Sequence, residues 1–240
     1  MSAQPPGGWN VESLGEGAVR HDASLSYEFV HARRGMPGPP PLLVMLHGFG
    51  ANESDLLGLV PYLDERLHIA SVRGPLRVEA GAYGWYRVTH TAGGPIVHEG
   101  EEQEARKRIA RFIDEMIEAH AIDPLQVFVL GFSQGATMAL SLALTIPEKL
   151  RGTLALGGRV LREITGSIAE SEAIAGAPIF MAHGLHDDVV PIGRARSSRE
   201  FLAGLETNLS YREYPTAHQI SPDMLTHANE WLSGRLNGGE

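Results

Sequence analysis

The sequence predicts an α/β protein with a mostly parallel central sheet and helices on both faces. Short apolar runs alternate along the chain with segments of helical periodicity, which is typical of β-α-β units. Residues with catalytic potential follow four of these runs. Because the carboxyl ends of parallel strands meet at one edge of a sheet, we expect these residues to lie close together.

The length and composition are those of a globular protein with a substantial core. The chain has 240 residues, of which 43% are hydrophobic and 20% charged. Residues 1–24 begin with a Gly- and Pro-rich stretch and are predicted to form a loose lead-in. Residues 25–240 are predicted to form a single domain without a lid domain, since no linker composition interrupts them.

The first elements are strands around a helix. Residues 25–30 alternate apolar and polar, as a half-exposed strand does, whereas Leu42–Leu46 is continuously apolar and predicts a strand buried on both faces. Asn52 is a candidate N-cap for a helix running to about Glu65. His68–Val72 is the next short strand.

The stretch from residue 75 to residue 100 predicts a long irregular excursion, because glycines and Pro95 punctuate it. It carries Trp85 and Tyr86, and two interpretations remain open for them. Loops of this length inside compact domains are often functional, so the aromatic rings could form an apolar wall of a binding site. Alternatively, the rings plug an edge of the core.

A helix is predicted over Glu99–His120, where apolar residues recur at spacings of three and four. Its first turn is acidic, with Glu99, Glu101 and Glu102, which suits the positive end of a helix dipole. We expect this acidic start to be solvated.

The stretch from Val127 to Gly135 is a candidate nucleophile elbow. An apolar run predicts a buried strand, G-x-S-x-G follows with Ser133 at its centre, and helix formers come next. A serine on such a strand–turn–helix is exposed for attack. Glycines at 131 and 135 fit, since a Cβ there would clash with neighbouring backbone.

The second half continues the alternation of strands and helical segments. Strands are predicted at residues 153–158, Pro178–Gly184 and 209–214, and helical segments at residues 161–175, 194–205 and Pro222–Leu236. The last helix has Ser221 as its N-cap.

A candidate catalytic triad follows from the order of Ser133, Asp187 and His218. Asp187 lies 54 residues after Ser133, and His218 lies 31 residues after Asp187. A serine needs a base with a pKa near neutrality, and an imidazole needs a carboxylate to orient it and stabilise its cation. Asp188 is an alternative acid.

Other histidines have competing interpretations. His183 and His186 could combine with Asp187 as metal ligands, but no further histidine or carboxylate at typical spacing joins them, so no metal is expected. His47 precedes a glycine turn and is expected to brace that loop, and His227 falls in the last predicted helix.

An oxyanion formed from the attacked carbonyl would need fixed donors. The backbone N–H of Gln134 follows the nucleophile, and the loop after the Leu42–Leu46 strand offers the N–H of Phe49.

Four motifs together resemble the small carboxylesterase/phospholipase family of α/β-hydrolases, which includes the acyl-protein thioesterases. They are LHGFG at 46–50, GFSQG at 131–135, HGLHDDVVP at 183–191 and YPTAH at 214–218. The resemblance covers about residues 25–236. It implies an α/β-hydrolase fold and a cofactor-free esterase with Ser133, Asp187 and His218 as its triad. Arg87 and Leu185 stand where the family often has aspartate, which bears on substrate preference.

The sequence therefore predicts a serine hydrolase that cleaves carboxylic esters of short to medium acyl or aryl substrates through an acyl-enzyme. An acyl-thioesterase or lysophospholipase on the same triad is one alternative, and a non-catalytic binding module that keeps the fold is another. A module of that kind would have no need of all three triad members.

Composition and charge limit the classes of partner and the cellular location that the sequence predicts. A net charge of −9 argues against nucleic acid as a partner. The absence of cysteine excludes disulfides and thiolate metal sites. The first residues lack the features of a secretory signal and no long apolar run predicts a membrane span, so we expect a cytoplasmic protein. A homodimer is compatible with the sequence.

Overall fold

A computed structural model describes residues 18–91 and 94–238 of the chain. The predicted lead-in over residues 1–24 therefore falls mostly outside the described residues. The described strands are β1 Tyr27–Val30, β2 Leu42–Leu46, β3 His68–Val72, β4 Leu76–Glu79, β5 Ala82–Gly84, β6 Val88–Thr91, β7 Gly94–Val97, β8 Val127–Phe132, β9 Gly152–Leu156, β10 Pro178–Gly184 and β11 Asn208–Tyr214.

Seven of these strands form the central sheet, in the order β1-β3-β2-β8-β9-β10-β11. Only β1 is antiparallel to its neighbour in this sheet, and all the other pairs are parallel. From β2 the chain moves first to β3 on one side and later to β8 on the other. The carboxyl ends of β2 and β8 therefore flank the switch point of the topology, which is where ligands bind in open α/β sheets.

Helices cover both faces of the sheet, as predicted. They are α1 Glu99–His120, α2 Gln134–Thr145, α3 Ser171–Ile174, α4 Ile192–Gly204 and α5 Pro222–Leu236. Apolar side chains of α1, α2 and α4 pack on one face, including Phe112, Met138 and Leu202. On the other face, Leu232 of α5 packs with Val60. Among the described residues, no helix is both long and apolar enough to cross a membrane.

The irregular excursion predicted over residues 75–100 is wrong, because most of it is paired. Strands β4 and β5 form one antiparallel hairpin, and β6 and β7 form another. Gly81, in the turn of the first hairpin, has a φ of 77°, a left-handed conformation that glycine adopts without a steric penalty. The tip of the second hairpin, residues 92 and 93, lies outside the described residues.

The helix predicted from Asn52 to about Glu65 is also wrong. The chain forms a turn in which the Asn52 side chain accepts a hydrogen bond from the Ser54 N–H, and then a 3-10 helix over Leu57–Tyr62. Pro61 inside this helix has no N–H, which disfavours a longer α-helical ladder. The Arg33 guanidinium instead donates to the carbonyls of Val60 and Leu63.

The helical segment predicted over residues 161–175 is broken into two short pieces. A 3-10 helix covers Arg162–Ser167, Ile168 is extended, and α3 follows. Gly166 lies in the first piece and weakens helical continuation there. Residues of the first piece line a cavity together with residues at the start of α4.

The acidic start of α1 is not solvated throughout. Glu102 is buried and pairs with Arg106 one turn later. Burial, the largest influence, raises the pKa of Glu102. Glu101 pairs with Arg87, the first of the two residues that stand where an aspartate is expected, and so joins the loop before β6 to the helix.

Candidate active site

Ser133 lies on a sharp turn between β8 and α2, at the switch point of the sheet. Its φ of 56° and ψ of −116° are strained for a non-glycine residue, as at a nucleophile elbow. A Cβ added at Gly131 would lie 2.1 Å from the Gly135 carbonyl oxygen, and one added at Gly135 would lie 1.9 Å from the Leu46 carbonyl oxygen. Only glycine fits at either position, as the sequence predicted.

The structure brings Ser133, His218 and Asp187 together in one chain of hydrogen bonds. The His218 Nε2 lies 2.8 Å from the Ser133 Oγ, and the His218 Nδ1 lies 2.7 Å from the Asp187 Oδ2. With the carboxylate accepting from Nδ1–H, Nε2 is free to accept the serine proton. The three side chains come from the loops after β8, β10 and β11, so the topology sets their proximity.

The Asp187 carboxylate is buried and held by several donors. Its Oδ1 accepts from the N–H groups of Val189 and Val190, at 3.0 Å and 2.7 Å. The buried His183 lies 3.2 Å from Oδ2 through its Nε2, which also bonds the Val190 carbonyl. Asp188 is exposed, so Asp187 and not Asp188 reaches His218.

Both expected oxyanion donors lie beside the nucleophile. Gly48, next to Phe49 in the loop after β2, approaches the elbow so closely that an added Cβ would lie 3.4 Å from the Ser133 Cβ. Gln134 is the first residue of α2. Among the described residues, neither the Phe49 N–H nor the Gln134 N–H has a protein acceptor, so both can receive an anionic oxygen.

His47 braces the loop that carries Phe49. Its Nε2 accepts from the Gly74 N–H at 2.9 Å, so Nδ1 carries the proton and donates to the Gly48 carbonyl at 2.7 Å. Burial lowers the pKa of His47, which keeps the ring neutral in this tautomer. His227 lies away from the triad and bonds the Tyr214 hydroxyl.

The Gln134 side chain has a structural role that sequence reasoning missed. Its Oε1 accepts from the Trp85 N–H at 2.9 Å, and its Nε2 donates to the Tyr86 carbonyl at 2.7 Å. This clamp fastens the segment between β5 and β6 to the start of α2. No local sequence signal links residues that are 48 and 49 positions apart.

The expectation that Trp85 and Tyr86 form an apolar wall of the site needs correction. Their side chains are only 1% and 3% exposed, and both belong to the core on the α1 and α2 face. The Trp85 Nε1 donates to the His47 carbonyl, so the ring supports the loop from behind. Their burial agrees with the alternative in which the aromatic rings plug an edge of the core.

Phe49 supplies the exposed aromatic surface next to Ser133 instead. Its side chain is 53% exposed, and it lies against Gly84, where an added Cβ would come within 2.7 Å of the ring. The ring of Phe132, the residue before the nucleophile, packs on the base, with its centroid 5.0 Å from that of His218. Leu185, the second departure from the family pattern, is 37% exposed on the loop that precedes Asp187.

The metal interpretation finds no cluster to support it. In the described ranges of the chain, no group of three or more histidine, aspartate or glutamate side chains could hold an ion. The His183 Nε2 already contacts the Val190 carbonyl and the Asp187 carboxylate, as described above.

Comparison with known proteins gives consistent relatives. A family model described as phospholipase/carboxylesterase matches residues 33–235. The chain is 31% identical over 211 residues to acyl-protein thioesterase 1 of Kluyveromyces lactis, covering 81% of this chain and 92% of the relative. It is 32% identical over 149 residues to carboxylesterase SOBER1 of Arabidopsis thaliana, covering 61% and 64%. The crystal structure of a Bacillus cereus carboxylesterase superimposes with a TM-score of 0.77 at 26% identity, covering 89% of this chain and 96% of that one.

Proposed function

The chain belongs to the phospholipase/carboxylesterase family of α/β-hydrolases, and from that premise we propose that Ser133, His218 and Asp187 cleave carboxylic esters through an acyl-enzyme. The family makes the chain a serine hydrolase with esterase activity. The observation that carries the assignment of residues is the continuous hydrogen-bond chain from the Ser133 Oγ through His218 to the buried Asp187 carboxylate.

The first half of the reaction acylates Ser133. His218 Nε2 takes the proton from the Ser133 Oγ as that oxygen attacks the ester carbonyl carbon. The carbonyl oxygen becomes an oxyanion and accepts hydrogen bonds from the N–H groups of Phe49 and Gln134, each of which contributes about 3 kcal/mol of transition-state stabilisation. The ester C–O bond then breaks, and His218 gives its proton to the leaving alcohol.

The second half releases the acid. A water molecule loses a proton to His218 Nε2 and attacks the acyl carbon, and the same two N–H groups receive the second oxyanion. The bond from the acyl carbon to Ser133 breaks, and Oγ takes the proton back from His218. Asp187 stays ionised throughout and stabilises the imidazolium that forms in each half.

Replacement of the nucleophile tests the assignment. We expect Ser133→Ala to lower kcat/KM for 4-nitrophenyl esters by about 10⁴-fold or more, because the acyl-enzyme cannot form. Labelling by a fluorophosphonate probe, read by intact mass, should disappear in the same variant. The exposed Ser171, at the start of α3, provides the matched control as Ser171→Ala. Labelling of the folded Ser133→Ala protein, or no labelling of the wild type, would contradict the proposal.

We propose short to medium acyl or aryl groups as the preferred substrates, with Phe49 as the apolar contact. The exposed Phe49 ring, in the loop that approaches Ser133, offers apolar contact to a short chain or an aryl ring. A series of 4-nitrophenyl esters from acetate to palmitate tests this. Activity that peaks at the long chains would defeat the proposal.

An acyl-thioesterase activity is the second candidate, because one of the relatives is named an acyl-protein thioesterase. The same triad attacks a thioester carbonyl in the same way. Rates for matched octanoyl oxyester and thioester substrates, each compared with Ser133→Ala, separate the two activities.

The cytoplasmic location, the absence of a nucleic-acid partner and the homodimer stay predictions. Cell fractionation tests the first. Light scattering coupled to gel filtration tests the dimer.

A further inference from the structure

A basic cavity of about 520 Å³ lies between the loop after β9 and the start of α4. Its charged and hydroxyl-bearing lining consists of Arg159, Arg162, Thr165, Arg194, Ser197 and Ser198. Among the described residues that line it, none is a carboxylate. Three positive charges thus gather around one cavity in a chain whose net charge is −9.

In the described part of the chain, the three guanidinium groups have no carboxylate within 4.0 Å. Eight other arginines do have one, and these are Arg66, Arg73, Arg87, Arg106, Arg108, Arg111, Arg196 and Arg199. In the same described ranges, arginines without such a partner also lie outside the cavity, for example Arg34, Arg77 and Arg151, so the distinctive feature here is that three of them line one cavity. Like charges left together and unpaired favour the binding of an anion between them.

The neighbouring Glu163 offsets the positive charge only in part. It follows Arg162 in sequence but does not line the cavity. Burial raises the pKa of the Tyr86 hydroxyl, and the charges of Arg159 and Glu163 both act on it, the arginine lowering this pKa and the glutamate raising it. Glu163 thus offsets some of the charge of Arg159, and no carboxylate of the described residues lines the cavity itself.

The start of α4 adds backbone donors to the same cavity. Pro191 and Gly193 line it, the first turn of α4 contains no acidic residue, and no side chain caps the helix. No heavy atom lies within 4 Å of a Cβ added at Gly193, so the backbone there is accessible to a ligand. The N–H groups and the positive end of the helix dipole complement an anion that the arginines already attract.

The two chain segments that line the cavity, the loop after β9 and the start of α4, are both connected to the candidate triad. On one side, the Arg159 N–H donates to the Thr137 Oγ1, which in turn donates to the Ser133 carbonyl. On the other side, Pro191 follows Val190, whose N–H donates to the Asp187 carboxylate. Ser198 of α4 connects the two segments, because its hydroxyl accepts a hydrogen bond from the Val160 N–H and donates one to the Arg194 carbonyl. The cavity is therefore fixed in position relative to the site of ester attack.

We propose that this cavity binds an oxyanion, a carboxylate or a phosphate, at the far end of the ester substrate. This inference rests on the proposed function and names the substrate class, which is esters that carry an anionic group several bonds from the scissile carbonyl. Guanidinium groups match the planar or tetrahedral oxygens of both anions through paired hydrogen bonds. We expect the anionic group to lower KM and to leave kcat nearly unchanged, because the anion is bound away from the reacting atoms.

Pairs of esters in which a neutral group replaces the anionic one test the inference. One pair is mono-4-nitrophenyl suberate and its methyl ester, with the anion on the acyl side. A second is 4-acetoxybenzoate and its methyl ester, with the anion on the alcohol side, and 4-acetoxyphenyl phosphate is compared with 4-acetoxyanisole as the phosphate arm. For at least one pair, the wild type should have the higher kcat/KM on the anionic member. In Arg159→Gln/Arg194→Gln, the ratio of anionic to neutral kcat/KM should fall about tenfold or more.

Arg196→Gln is the matched control, because Arg196 lies on the same helix but binds Glu213 and does not line the cavity. It should keep the wild-type ratio. A double variant that is folded by circular dichroism and keeps the wild-type ratio for all three pairs would overturn the inference, as would a wild type that prefers every neutral member. The choice between carboxylate and phosphate follows from which pair responds.

Failure of the proposed function has a different signature, namely a wild type that hydrolyses no ester at all. In that event, calorimetric titration with sodium succinate and with inorganic phosphate still tests the cavity. Binding to the wild type that is lost in the double variant and kept in Arg196→Gln supports the cavity, and no binding of either anion to the wild type rejects it.

Discussion

At the scale of single residues, the site depends on how each polar atom is already used before a substrate arrives. The two oxygens of Asp187 have different tasks: Oδ1 accepts two backbone N–H groups and Oδ2 faces the ring of His218. His47 and the Gln134 side chain are likewise committed to the loops that carry the backbone donors. The groups that remain available are the ones that the proposed reaction requires, namely the Ser133 Oγ–H on His218 Nε2 and the two N–H donors that have no acceptor among the described residues.

Asp187→Asn and Asp188→Asn are a matched pair, because each removes one negative charge from adjacent positions. In Asp187→Asn, the amide oxygen must occupy the Oδ1 position to accept from Val189 and Val190. Its NH₂ group then donates to His218 Nδ1, which moves the ring proton to Nε2 and prevents His218 from accepting the serine proton. We expect kcat for 4-nitrophenyl acetate to fall about 10⁴-fold.

The exposed Asp188 has no part in this network, so Asp188→Asn should stay within about twofold of the wild type. Both variants are measured by steady-state kinetics at the same pH. Equal losses in the two variants, or a loss confined to Asp188→Asn, would reject Asp187 as the orienting acid.

At the scale of elements, the periodic segments could be predicted from sequence and the irregular ones could not. Glu99–His120 and Pro222–Leu236 carry their own signals, an apolar face at spacings of three and four and a Ser-Pro start. The hairpins within residues 75–100 depend on pairing between strands of only three or four residues, which are too short to show a periodic pattern, and the glycines indicate only turns. The positions of the triad residues followed from the rule that active residues lie at strand ends, whereas the burial of Trp85 depends on a remote partner, Gln134.

The close contact between β2 and the start of α2 makes the elbow intolerant of any side chain at Gly135. In Gly135→Ala, the new methyl group would meet the backbone of Leu46 and His47, which cannot move without disturbing the central strand β2. We expect the free energy of unfolding to fall by about 3 kcal/mol or more, together with a loss of esterase activity. Urea unfolding followed by tryptophan fluorescence measures the change.

Gly234→Ala is the control for this substitution. Gly234 lies exposed within α5, and no heavy atom lies within 4 Å of an added Cβ. Alanine there should stabilise the protein by about 0.5–1 kcal/mol, because it lowers the entropy of the unfolded chain and favours the helix. Similar effects of the two substitutions would show that the contact at Gly135 is not rigid.

At the scale of the whole molecule, one charged network joins the segment after the 3-10 helix to the C-terminal helix α5. Asp64, after the 3-10 helix, accepts from the Arg66 guanidinium and from the Ser233 hydroxyl of α5, which lies 169 residues away. Arg66 also donates to Asn237, just beyond the end of α5. The network holds α5 against the 3-10 helix and so keeps one face of the sheet covered.

The same network makes stability depend on pH in acid. Burial alone would raise the pKa of Asp64, but the hydrogen bonds from Arg66 and Ser233 outweigh it and lower the pKa to about 2. Because the folded pKa lies below the ordinary aspartate value of 3.8, the carboxylate contributes its stability above about pH 4 and loses it as the pH falls towards 2. The difference corresponds to about 2 kcal/mol at neutral pH.

Asp64→Asn should therefore destabilise the protein by about 2 kcal/mol at pH 7 and by clearly less at pH 3, where the wild type has itself lost part of the contribution. Urea unfolding at pH 7, 5, 4 and 3 measures this, with Asp188→Asn as an exposed control that should follow the wild type at every pH. If the deficit of Asp64→Asn were the same at pH 3 as at pH 7, the loss would come from packing at the Ser233 contact and not from the ionised carboxylate. A stability deficit that becomes smaller in acid would instead show that the ionised Asp64 carboxylate stabilises the packing of α5 against the 3-10 helix.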